Sequence, residues 1–117
     1  MVEESSSALW QPSQEQINKT NLHQFIGVVS EKLSLPSANY DEFHQWSVDN
    51  SESFWAEVWD YTEIKASVDW NSVLTNADQF PGATWFAGAR CNFAENLLRN
   101  RSDRIAIVGR LENGSRT

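Results

Sequence analysis

The sequence predicts a mostly α-helical fold with irregular loops and a C-terminal β-strand and hairpin, and three observations carry that prediction. Two apolar stripes recur at helical spacing: Leu22, Phe25, Ile26, Val29 and Leu33, then Phe54, Trp55, Val58 and Trp59 ending at Thr62. Asn92, with Glu95 three residues on, opens a third and shorter helical run through Phe93, Leu97 and Leu98. Arg104 to Arg110, RIAIVGR, is the one stretch with strand composition, and Asn113-Gly114 behind it is a hairpin signal.

Each element follows in order. Residues 1–9 are polar and read as a disordered leader. Ser13 with Gln16 gives one helix start, and Thr20 gives a second just ahead of the first apolar stripe, whose helix should stop near Pro36. Gly27 inside that helix weakens it by about 1 kcal/mol relative to Ala. Tyr40, Phe43 and Trp46 lie three apart on a short aromatic-faced helix, and Asp49, Asn50 or Ser51 can cap the next one. Glu52, Glu57, Asp60 and Glu63 take the far side of that helix. From Lys65 to Ala83 no period holds, so the stretch reads as loop with a short strand or helical turn at Trp70 to Leu74. Pro81-Gly82 is turn chemistry, Phe93, Leu97 and Leu98 should face inward, and Arg99 suits the C-terminal end of its helix.

The terminal strand raises a question of partners. Ile105, Ala106, Ile107 and Val108 have the composition of a buried strand, yet no other segment of comparable strand character exists to pair with it. The expectation is therefore a longer protein cut inside its first hairpin.

Composition narrows the function classes. A net charge of −7 argues against a nucleic-acid binder, which draws its affinity from Lys and Arg. The charge is uneven: residues 1–89 hold Lys19, Lys32 and Lys65 against thirteen carboxylates, while residues 90–117 hold six arginines against Glu95, Asp103 and Glu112. A single cysteine, Cys91, rules out an internal disulfide framework and fits a reducing compartment. The start has no signal- or transit-peptide pattern and no segment is long and apolar enough to span a bilayer, so the expected location is cytoplasmic. Six Trp, six Phe and two Tyr, each with about 150–250 Å² to bury, imply an aromatic core or faces meant for another body.

The chemical constellations are weak. Gly109 to Gly114 has the spacing that opens a phosphate loop, but Ser115-Arg116 stands where Lys then Ser or Thr is required, and no helix follows. His23 and His44, the latter one helical turn from Asp41, lack the further ligands of a closed zinc site. Cys91 follows Arg90 but has no orienting His. The acid pairs Glu3-Glu4 and Asp41-Glu42 have no apolar pocket to split their pKa values. No residue of this chain is therefore assigned as catalytic, cofactor-binding or metal-ligating.

The row as a whole carries a resemblance. LWQPSQEQINKTNLHQF, YDEFHQWSVDNSESFWAEVWDY and above all PGATWFAGARCNFAENLLR resemble the amino-terminal region of the acetoacetyl-CoA synthetases, acyl-CoA synthetases of the adenylate-forming superfamily, from about Leu9 to Leu111. Gly88-Ala89 replaces the glycine pair of the related acetyl-CoA synthetases, and Leu97-Leu98-Arg99-Asn100 ends the helix as in the acetoacetate branch. Cys91 departs from an expected aliphatic residue.

The resemblance implies the N-terminal fragment of an α/β enzyme. Residues 10–103 would be the helical region of acyl-CoA synthetase type, and residues 104–117 the first strand and turn of the adenylating core. It implies ATP, Mg²⁺ and CoA as cofactors of the full-length ligase, none bound by this segment, and the remainder of the synthetase as partner, with no nucleic acid or membrane. Pro81 to Arg99 would clasp the helical front to that core, Trp85 and Phe86 packing into it. Two alternatives stay open: a free-standing aromatic-rich binding module, and the corresponding region of an acetyl- or propionyl-CoA synthetase.

Overall fold

The computed structural model describes residues 9–35 and 39–116. The polar leader lies outside them except for residue 9, and so does Pro36.

Helix α1 (Gln14–Asn18) starts with the capping box the sequence predicts: the Gln16 amide donates to Ser13 Oγ at 3.3 Å and the Ser13 amide to Gln16 Oε1 at 2.8 Å. In α2 (Asn21–Leu33), Thr20 Oγ1 accepts from the His23 amide at 3.1 Å, and the helix closes on Ser34 in a left-handed conformation. Asn39 caps α3 (Tyr40–Asp49) by accepting from the Glu42 amide at 3.0 Å. Asn50 then stands at the start of α4 (Ser51–Tyr61), but its side-chain amide donates back to the Trp46 carbonyl at 3.1 Å, closing α3 instead of capping α4.

The helical core is a triangle of phenylalanines. Phe25, Phe43 and Phe54, one from each of the three long helices, stand edge to face with ring centroids 5.8–6.2 Å apart, the arrangement the ring quadrupoles favour. Val29 is fully buried beside them, and Ile26, Trp46 and Val58 pack against the cluster. The outer members of the first stripe, Leu22 and Leu33, stay exposed.

Four short strands follow: β1 (Ala66–Val68), β2 (Ser72–Thr75), β3 (Thr84–Ala87) and β4 (Arg90–Cys91). They form two antiparallel pairs, β1 with β4 and β2 with β3, with Leu74 opposite Trp85 and Ala66 opposite Cys91. Sequence reading leaves a short strand or a helical turn open at Trp70 to Leu74, which the structure resolves as β2, and finds none of the other three, which lie in stretches of two to four residues where period 2 leaves too little pattern.

Helix α4 is the wall between the two halves. One side carries Phe54 into the helical triangle, while Trp55 meets Trp85 at 5.9 Å and Trp59 meets Phe86 at 4.6 Å on the other. Trp85 and Phe86 therefore pack on α4 of this same chain, with Trp85 still 45% exposed. Gly88, at φ +88°, lets β3 turn away beneath Asn71; a Cβ there would run into the Asn71 side-chain amide.

Helix α5 (Phe93–Leu97) ends the regular structure. The strand expected at Arg104 to Arg110 is not formed: among the described residues the section has only a single bridge between Arg110 and Arg116. The Asn113-Gly114 turn does form, with Gly114 at φ +80°, the Gly114 amide donating to the Leu111 carbonyl at 2.9 Å and the Leu111 amide to the Ser115 carbonyl at 3.0 Å. A strand needs a neighbouring backbone, and beyond that bridge the described residues supply none. The accessible surface is 10275 Å², against about 6,500 Å² for a compact protein of this mass. The radius of gyration is 20.1 Å, against about 13 Å. Large apolar side chains are among what is left bare, Phe80, Phe93, Ile105 and Ile107 each by more than three quarters.

Candidate docking face

Helix α5 is held to the rest of the chain by polar side chains. Asn92 Oδ1 accepts from the Glu95 amide at 3.2 Å, the N-cap the sequence predicts. One turn on, Asn96 grips the backbone of Lys65 from both sides: its Oδ1 accepts from the Lys65 amide at 2.8 Å and its Nδ2 donates to the Lys65 carbonyl at 2.9 Å. A side-chain amide has the geometry of a peptide group, so Asn96 extends the β1–β4 ladder by one rung. Arg99 Nη1 then donates to the carbonyls of Thr62 at 2.7 Å and Glu63 at 3.0 Å. The last turn of α4 has no basic residue of its own, and this guanidinium supplies the positive charge its carbonyl end favours. Arg99 thus serves the end of α4, where sequence reasoning assigns it to its own helix. Asn96 is missed by sequence reading altogether, since nothing local distinguishes it from a surface asparagine.

These polar contacts leave the apolar side chains of α5 uncovered. Phe93 is 81% exposed, Leu97 67% and Leu98 67%, which overturns their expected inward orientation. Ile105 and Ile107 follow at 78% and 87%. At 100° per residue, Asn92, Asn96 and Arg99 fall on one side of the helix and Phe93 and Leu97 on the other.

The chemical candidates do not converge. His44 stacks on Tyr40 with centroids 6.0 Å apart, His23 lines a shallow groove beside α2, and Cys91 is exposed on β4. Asp41-Glu42 opens α3, where carboxylates suit the positive end of the helix. Glu3-Glu4 lies outside the described residues. Among the described residues no three His, Cys, Asp or Glu side chains gather as metal ligands, and no helix is long and apolar enough to cross a membrane. Residues 109–116 form the turn described above and not a phosphate loop.

Comparison with known proteins gives this arrangement its context. The family model described as "Acetyl-coenzyme A synthetase N-terminus" matches residues 40–97, from the start of α3 to the end of α5. Acetoacetyl-CoA synthetase of Xenopus tropicalis is 37% identical over 109 residues, 92% of this chain and 16% of that protein. Malonamoyl-CoA synthetase of Penicillium aethiopicum is 34% identical over 115 residues, again 92% of this chain and 16% of the relative. Among solved structures, acetoacetyl-CoA synthetase from Streptomyces lividans superposes with a TM-score of 0.74 at 34% identity, over 80% of this chain and 14% of that one. The chain spans about one sixth of the length of the curated relatives it matches. It belongs to the acyl-CoA synthetase family, as a counterpart of the amino-terminal region of acetoacetyl-CoA synthetase.

Proposed function

We propose that the chain is the amino-terminal scaffold of an ATP-dependent acetoacetyl-CoA synthetase, inactive by itself. The complete enzyme would join acetoacetate to CoA with cleavage of ATP to AMP and diphosphate, in the cytoplasm. The observation that carries this reading is the similarity to acetoacetyl-CoA synthetases over 92% of the chain. The physical role follows from the packing: α4 holds the helices on one side and the β2–β3 pair on the other, and α5 locks the end of α4. Residues 104–117 would open the adenylating core, with Ile105 to Val108 completed as a strand by that core. ATP, Mg²⁺ and CoA would be bound there and not by this segment. The choice of acyl group would lie there too, since a malonamoyl-CoA synthetase matches this region about as well.

The test is acetoacetate-dependent release of diphosphate. The 117-residue chain should be silent, and the polypeptide that carries it ahead of an adenylating core should be active. Turnover by the short chain would overturn the scaffold reading. Activity of the long one with acetate or malonamate in place of acetoacetate would overturn the acyl assignment alone.

A further inference from the structure

We draw no further inference here: the strongest candidate, the open groove between α1, α2 and the start of α3, which Ile17, Leu22, Ile26 and Gly27 line and where the Ser30 hydroxyl is buried with no hydrogen-bond partner among the described residues, carries nothing because nothing in the structure shows what covers it.

Discussion

Helices α2 and α5 carry the same kind of stripe, Phe25 and Val29 in one and Phe93 and Leu97 in the other, and the fold treats them in opposite ways. Phe25 is 7% exposed and Phe93 81%. Apolar periodicity states that a helix has a face to cover; it does not state what covers it. For α2 the cover is α3 and α4, whose aromatic residues interlock with it. For α5 the chain offers polar handles on the reverse side instead, so the contrast divides a half that covers its own apolar stripe from one that leaves its stripe exposed.

The sharpest way to break the comparison is inside the helical half. Phe43 is 4% exposed and lies against the rings of Phe25, Phe54 and Trp46. Phe43→Ala should destabilise by about 3–5 kcal/mol, a large share of the roughly 5–15 kcal/mol available to a small domain. Urea denaturation followed by tryptophan emission should show the cooperative transition lost or displaced far toward zero denaturant. A midpoint shifted only slightly would mean that the triangle is not the core.

The next effect lies within the half that follows α4. Asn96→Ala removes both bonds to Lys65, for which about 1–3 kcal/mol is expected, and releases α5 from β1. Amide exchange at Lys65 should quicken first, before any change in α2. Exchange at Lys65 that stays slow would show that α5 is held by something other than this clamp.

How much of this was legible in the sequence divides along the same line. Ser13, Thr20 and Asn92 were readable as caps because a cap is a local device, satisfied within three residues. The stripes of α2 and α4 were readable because more than ten residues of period 3.6 leave little ambiguity. The β1–β4 pairing joins Ala66 to Cys91 through strands of three and two residues, too short to carry a pattern of their own. Asn96 and Arg99 act across about 31 to 37 residues of sequence, which a single row cannot show. The apolar side of α5 was misread for a more general reason: inward is the default assumption for an apolar face, and only the three-dimensional positions of Asn96 and Arg99 show which side of the helix the rest of the chain holds.

A smaller effect sharpens the account of the helical half. Lys32 of α2 reaches Glu57 at 2.8 Å and Asp60 at 3.5 Å on α4. The hydrogen bond to the Glu57 carboxylate holds the ammonium above its ordinary 10.5, against a smaller opposing effect of desolvation. A raised pKa on a cation means stabilisation that is complete below about 10.5 and lost as pH climbs through the raised value. Melting midpoints of the native chain and of Lys32→Gln should therefore differ by a small constant amount from neutral pH to about 10 and converge above it. A gap that widens with pH would reverse the sign and remove the ion pair from the α2–α4 contact.

The smallest expected effect is the one that decides the comparison. Leu97→Ser in the 117-residue chain removes a large apolar side chain from the last position of α5, a loss that for a buried equivalent in α2 would cost several kcal/mol. In α5 that side chain is 67% exposed and the helix is held from its other side, so the change in stability should stay within about 0.5 kcal/mol. Chemical denaturation checks it. A loss of 2 kcal/mol or more, on the order of a buried-core substitution, would place Leu97 in a core of this chain and dissolve the distinction between the halves. A near-zero change means that the apolar face of α5 contributes nothing to folding of the segment, and its three large side chains then have physical meaning only through what lies against them.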